Sequence, residues 1–435
     1  MRQSAPWLDP FWKGIIFLGI VVAFAIAHSM LPTWSHARFF DGSSIMGIVW
    51  SVVGIVAGGY FLLSLLFALS YSPALSVSDA ELPTCTLIIP AFNEGPMVRI
   101  ALLSALRNNY PVDKFHIIAI DDGSQDDTWT HMSAVQREFP SRVTAIRLEK
   151  NGGKREALRT GFLQARGEFV VTVDSDSRID RQAIRNIVAP MVTDPEIGAV
   201  AGKVLVLNRY ENLITRLLAA RLFITFDLMR AAQSRFGAVL CTPGALSAYR
   251  REAVLRVLES WSTQTFLGSP CTIAEDRALT TWLMRTGYRA VYQSSALVHT
   301  IMPSDLQKLF RMLLRWERGN IREDFVMFPV LFTRWRSRDR WWPTFEIMFQ
   351  IVQMPLGYLA VATTIGHCIK HPAVLLLVGA VSVITALVQS LYCLRSERGT
   401  DFLYGVGYAC FAFIGLQWIF PYSCLTLKDG RWMTR

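Results

Sequence analysis

Two long charge-free runs near the start constrain this chain more than anything else in it. "GIIFLGIVVAFAIAHSML" (14–31) and "IMGIVWSVVGIVAGGYFLLSLLFAL" (45–69) contain no Lys, Arg, Asp or Glu. Each is long enough to cross about 30 Å of hydrocarbon as a helix, which satisfies its own backbone hydrogen bonds where no water can. The pattern returns in 344–369, 372–394 and 402–427, the first with Pro355 and the last with Pro421. We expect two spans ahead of a polar middle region and about three behind it. A second apolar run so close to the first, with no small-residue cleavage site, reads as a retained anchor rather than a cleaved leader. A composition of 52% hydrophobic and 18% charged residues agrees.

The net charge is +10, from 44 Lys and Arg against 34 Asp and Glu, with much of the excess beside the apolar runs, as in "RWRSRDRW" (334–341). Such placement points to positive-inside topology and anionic lipid headgroups rather than to nucleic acid. The polar middle is then cytoplasmic, in a multi-pass protein of the cell (plasma) membrane. An odd number of crossings after it would strand Lys428, Arg431 and Arg435 on the far side, unless one C-terminal span is re-entrant or interfacial. The seven cysteines show no Cys-x-x-Cys, so neither a disulfide frame nor a zinc site is expected. No span carries the buried charges that ion coupling needs, which disfavours a plain transporter.

Residues 84–300 alternate β-rich runs ("TCTLIIPAF", "FHIIAIDD", "VTAIRLE", "FVVTVDSD", "GAVAGKVLVL") with helical stretches. That rhythm specifies an α/β domain with a mostly parallel sheet, whose ligands collect at the carboxyl ends of the strands. Polar residues gather at those ends: Asn93 and Glu94, then Asp121 and Asp122, then Asp174 and Asp176. The segments 210–236 and 304–323 have apolar residues at helical spacing with basic residues between them. They suit either the membrane interface or the surface of the sheet.

Where a strand gives way to a turn, Asp174 and Asp176 can converge on one hard cation. Mg²⁺ or Mn²⁺ takes a carboxylate or two plus phosphate oxygens and water. Alone, such a pair is more often a turn or a helix cap. Upstream, "AIDDGSQDDT" places Asp122 at another strand end, and in "EKNGGKREA" two glycines precede Lys154 and Arg155, whose charges suit phosphate. Three such motifs on successive strand ends read as a nucleotide-diphosphate site. Downstream, Asp276 in "AEDRALT", with Glu275 beside it, is the candidate general base. "CTPGALSAYRRE" holds a turn at Pro243 and Gly244, and "LLRWERGN" puts Arg315 and Trp316 on an amphipathic helix. Trp offers a flat face to a sugar ring and Arg grips diphosphate.

These motifs resemble the family-2 inverting glycosyltransferases, and "TQTFLGSPCTIAEDRALT", "AVYQSSALVHTIMP" and "LLRWERGNIRE" resemble in particular hyaluronan synthases and the related chitooligosaccharide synthases. The resemblance implies a GT-A type nucleotide-sugar-binding domain that uses UDP-sugar donors and a divalent metal. It places Asn93, Asp122, Lys154, Arg155, Asp174 and Arg315 on the nucleotide, and Asp176, assisted by Asp174, on Mg²⁺ or Mn²⁺. Asp276 would be the base, and Pro243, Gly244, Ser247, Glu275 and Trp316 would meet the acceptor. The product expected is a GlcNAc-containing polymer, hyaluronan-like and exported, made processively. A chitin-like or poly-GlcNAc synthase is the alternative, and a single-transfer enzyme acting on polyprenyl phosphate a further one. One departure bears on processivity: the family's Gln-x-x-Arg-Trp has Met312 at its Gln position, and Met cannot supply an amide's donor and acceptor. The domains expected are 1–75 (two transmembrane helices), 76–303 (transferase), 304–342 (interfacial helix) and 343–435 (C-terminal spans).

Overall fold

In the computed structural model, which describes residues 8–36, 45–333, 335, 340–370, 372–395 and 399–430, ten strands alternate with helices. They are β1 (Cys85–Ala91), β2 (Phe115–Asp121), β3 (Val143–Arg147), β4 (Phe169–Thr172), β5 (Arg178–Ile179), β6 (Ile197–Val206), β7 (Ser247–Arg250), β8 (Thr265–Phe266), β9 (Ser269–Pro270) and β10 (Arg289–Thr300). Most of the basic run 334–341, together with Arg431 and Arg435, lies outside the described residues.

Eight strands form one sheet in the order β3-β2-β1-β4-β7-β6-β10-β5, while β8 and β9 pair as a separate hairpin. Central strands read as continuous apolar runs because helices cover both faces: Leu87, Ile88, Ile89, Ile117 and Val171 are fully buried. The mostly parallel expectation needs one correction. The β1, β2, β3 and β4 pairings are parallel, as is β6 with β10, but β7 runs antiparallel between β4 and β6, and β5 antiparallel to β10. The reversal of β7 has a consequence for the site. Ser247, its first residue, pairs with Thr172, the last of β4, so the turn preceding β7 arrives where β4 ends.

The chain folds as two compact units. The sheet unit comprises residues 71–208 and 233–344 together with the chain from Ile419. Within it, helix Leu306–Leu331 packs along helix Glu275–Arg285, with Arg277 and Asp324 ion-paired at 2.7 Å. The other unit joins residues up to 70 with 209–232 and 345–418. Here the segment 210–236 becomes helix Leu213–Leu222 followed by a π-helical stretch, Phe223–Leu228, and Leu217 and Ala220 pack on Tyr404.

Among the described residues, four helical segments are long and apolar enough to cross a membrane: Leu8–Met30, Val52–Leu69, Trp341–Gly366 and Leu375–Leu394. The third expected C-terminal span is a bent pair, Leu403–Gly415 and Ile419–Leu425, meeting at 51°. Thirteen residues rise only about 20 Å, too short to cross alone. The expectation of charge-free spans is corrected as well. Glu346, 2% exposed, lies in the third span and accepts hydrogen bonds from the Tyr60 hydroxyl (2.7 Å) and Gln350 Nε2 (3.2 Å). At the start of the first span, Lys13 pairs with Asp9 (2.9 Å) and Asp401 (2.5 Å). Arg209 reaches Asp401 (2.7 Å), Arg216 reaches Asp9, and Tyr404 donates to Asp9 (2.8 Å). Asp9, Lys13, Arg209, Arg216 and Asp401 pair with one another, while Glu346 is held by hydrogen bonds, as charges in an apolar setting require.

Candidate active site

Helix Lys154–Gln164 can sit directly on the sheet because Gly161 has no side chain; a Cβ there would meet Ile88 Cγ2 at 2.6 Å. The chain enters this helix through Gly153 at φ +85°, a conformation that glycine adopts readily. Lys154 is therefore the first helical residue, and its Nζ lies 2.5 Å from Asp174 Oδ1 and 2.9 Å from Glu275 Oε1. Arg155 does not join it. One residue further round the helix, its guanidinium is buried, donates to the Trp261 carbonyl (2.5 Å) and lies over the Trp261 ring, apart from the carboxylates that Lys154 joins.

Asp276 enters from the other side. Ala274 holds a left-handed backbone, φ +56°, and helix Glu275–Arg285 begins immediately after it. The two Asp276 oxygens accept from backbone N–H groups, Oδ2 from Gly244 (2.9 Å) and Oδ1 from Arg277 (2.7 Å). A side chain at Gly244 would displace the charged groups, since a Cβ there would lie 2.6 Å from Lys154 Nζ and 3.1 Å from Asp174 Oδ1. Pro243 is held from behind: its carbonyl accepts from the buried Ser247 hydroxyl at 2.7 Å. Ser247 thus supports the turn through its hydroxyl proton.

Burial and the neighbouring Glu275 carboxylate push the Asp276 carboxyl above the ordinary range, with Lys154 opposing. Burial alone would raise Glu275 too, but the Lys154 ammonium, and beyond it Arg315, hold it below its usual value. Burial likewise works against the Lys154 charge, yet Asp174, Glu275 and Asp276 together raise its pKa. The result is two adjacent carboxyls with opposite tendencies, one stabilised as an anion and the other poised to take a proton.

At the ends of β1 and β2, Asn93 and Asp122 tie loops together. Asn93 Oδ1 accepts from Gln125 N (2.9 Å) and Asp122 Oδ1 from Gly152 N (2.8 Å), while burial raises the Asp122 carboxyl. Asp176 is half-buried; its Oδ1 accepts from the hydroxyls of Ser177 (3.3 Å) and Thr300 (3.4 Å). Arg315 and Trp316 are half-buried on helix Leu306–Leu331, and Met312 on the same helix is buried.

Among the described residues no group of three or more His, Cys, Asp or Glu side chains gathers to hold a metal. Asp174 and Asp176 still offer hard oxygens either side of Ser175, and two carboxylates suffice for Mg²⁺ or Mn²⁺ when phosphate and water complete the shell. The donor set fits such an ion arriving with a diphosphate.

Sequence reasoning missed several residues here. The Thr242 hydroxyl bonds those of Tyr249 (2.9 Å) and Thr280 (2.7 Å), and Thr280 also donates to the Asp276 carbonyl (2.8 Å). Thr280 lies four residues beyond Asp276, a spacing at which a helical hydroxyl commonly bonds back. It also missed Gly319, where a Cβ would come within 2.3 Å of Ala274 Cβ, and nothing in "RGN" announces that contact.

A mixed sheet with carboxylates and a lysine converging at its strand ends defines a glycosyltransferase of the GT-A fold. The chain belongs to the family described as "Glycosyltransferase like family 2", whose model matches residues 83–319. It is similar to an N-acetylglucosaminyltransferase of Rhizobium meliloti (strain 1021), 31% identical over 88% of this chain and 90% of that protein. An N-acetylglucosaminyltransferase of Rhizobium leguminosarum bv. viciae is 30% identical over 84% of this chain and 85% of that one. Among solved structures, a mannosyltransferase from Pyrobaculum calidifontis, in complex with GDP-Man and Mn²⁺, shares the fold. Its TM-score is 0.54 at 19% identity, covering 89% of this chain and all of that one.

Proposed function

We propose that this chain is a membrane-embedded inverting β-glycosyltransferase that adds GlcNAc from UDP-GlcNAc to a growing glycan and exports the product. The observation that carries the reading is Asp276: a half-buried carboxyl with a raised pKa, both oxygens oriented by backbone N–H groups, beside an ammonium. In the reaction, the acceptor hydroxyl oxygen attacks the anomeric carbon as the bond from that carbon to the UDP oxygen breaks. The hydroxyl proton passes to Asp276, and UDP leaves with the bonding pair. A single direct displacement inverts the anomeric centre.

Lys154 sits where negative charge grows on the leaving group, and Asp174 and Glu275 keep it charged. A divalent cation held by Asp176, assisted by Asp174, would neutralise the departing diphosphate. Asn93 and Asp122 line the nucleotide side, with Arg315 contributing charge toward the carboxylate pair. Glu275, the Pro243–Gly244 turn and Trp316 face the acceptor side. The mannosyltransferase neighbour, solved with a nucleotide sugar and Mn²⁺, is consistent with the same donor and metal class.

The relatives' names favour the GlcNAc-only polymer over the hyaluronan type that the motifs had put first. Met312, with no amide to offer, favours an acceptor chain held differently from that of strongly processive relatives. Lys428 belongs to the sheet unit, which supports a cytoplasmic C-terminal segment in keeping with the positive-inside rule.

UDP release by the purified protein in detergent, with Mn²⁺ or Mg²⁺, tests the proposal. UDP-GlcNAc and UDP-GlcA are presented separately and together, with Asp276→Asn as control. Release from UDP-GlcNAc alone, reduced at least about 100-fold in the variant, is expected. A requirement for both donors would return the hyaluronan reading. Activity retained by Asp276→Asn would overturn the assigned base, and labelled sugar in extractable lipid rather than polymer would favour the single-transfer alternative.

A further inference from the structure

Ala274 is the hinge on which the carboxylate pair depends, and its left-handed backbone must be imposed by its surroundings, since an alanine does not hold it by preference. Three contacts hold the approach to it. Arg322 Nη2 donates to the Ile273 carbonyl, Gly319 packs under Ala274, and the Thr272 hydroxyl donates to the Gly430 carbonyl at 2.6 Å. The last of these comes from the other end of the chain.

A second contact from the same C-terminal stretch lands one residue away from Gly319. Arg318, 2% exposed, pairs with Asp429 (Nη1 to Oδ2, 3.2 Å), donates from Nε to the Thr426 hydroxyl (3.0 Å) and lies 5.9 Å from the centre of the Tyr422 ring. A guanidinium so buried needs its carboxylate. The fit at the end of the stretch is close, since a Cβ on Gly430 would lie 2.3 Å from Thr272 Oγ1. Residues 422–430 therefore engage both walls of the Ala274 hinge, the loop that leads into it and the helix beneath it.

We propose that Tyr422–Gly430 is a strap that positions Glu275 and Asp276, with Asp429, Arg318 and Thr272 as positioning residues that touch no substrate. The proposal rests on the reading of Asp276 as the base. Loosening the strap lets Ala274 relax, and Asp276 then leaves the Gly244 and Arg277 N–H groups. Donor binding draws mainly on the ends of β1, β2 and β4, and reaches the strap only through the Lys154–Glu275 pair and Arg315. The strap therefore acts chiefly on kcat and much less on KM for the donor.

The full-length protein in detergent carries the test, with Asp429→Asn, Thr272→Val and the double variant compared for UDP release from UDP-GlcNAc. Thr272→Ser, which keeps the hydroxyl, is the conservative control. We expect kcat to fall at least about tenfold in the double variant, with KM and UDP affinity within about threefold of the parent, and Thr272→Ser to restore the rate, because even sub-ångström displacement of a reacting group is costly. Parent-like kcat in the double variant, provided Asp276→Asn is inactive in the same assay, overturns the strap and leaves the base standing. An active Asp276→Asn overturns the base instead. If kcat and UDP affinity collapse together with the melting temperature, the contacts are merely structural and the proposal fails.

Discussion

Replacing Gly319 by alanine adds one methyl group at the point where helix Leu306–Leu331 meets the Ala274 hinge. That methyl would stand 2.3 Å from Ala274 Cβ, whereas carbon atoms rest at about 3.5–4.0 Å, so the two elements must part by about 1.2–1.7 Å. Forcing an extra methyl into a packed contact costs about 1–3 kcal/mol of stability. The larger effect falls on the reaction, because a displacement of about 1 Å at a reacting group lowers the rate about 100-fold. UDP release from UDP-GlcNAc should therefore fall by about that factor, with a modest drop in thermal stability. The compensating change follows from the same geometry. Ala274→Gly removes the obstructing methyl and suits the left-handed backbone, leaving Ala274 Cα as the next neighbour at an ordinary 3.8 Å. The double variant should regain most of the lost rate. Full activity in Gly319→Ala, or a double variant as slow as the single one, would refute the hinge argument.

Two further predictions concern the site itself. Gly244→Ala drives a methyl toward Lys154 Nζ and Asp174 and disturbs the N–H that orients Asp276, so kcat should drop by about 10²-fold in UDP release while the protein stays folded; an unchanged kcat would mean that the turn does not set the base. Glu275→Gln removes one of the charges that disfavour the Asp276 anion. Because Asp276 acts deprotonated, the acid limb of the pH–rate profile should move to lower pH, and a limb that stays put or moves upward would contradict the coupling.

The sequence disclosed the strands that end in carboxylates, because an apolar run followed by Asp is visible without any partner. It did not disclose β7, four residues long, or β10, whose register with β6 shifts between Gln293 and Leu297. Both are defined by neighbours distant in the chain. Lys154 and Arg155 show the same limit within one motif. Consecutive helical residues point about 100° apart, so equal charges on adjacent positions go to different places, one among the carboxylates and the other against Trp261. Spacing identified the motif, and the start of the helix set which member joins the carboxylates. Gly319 and the C-terminal contacts were illegible for a simpler reason, since their partners lie some 45 to 160 residues away.

The ion cluster of the other unit sets a timetable for synthesis. Asp9 and Lys13 are made first, whereas Arg209 and Arg216 follow about 200 residues later and Asp401 nearly 390 residues after Lys13. At about 5–20 residues per second, the first helix waits about 20–80 s for its last counter-charge. Until Arg216 emerges, Asp9 and Lys13 have only each other, and most of the sheet unit, residues 71–208 and 233–344, is translated before Asp401 closes the clasp. The N-terminal helix therefore completes its docking only near the end of synthesis, after all the strands of the nucleotide-sugar domain have been made.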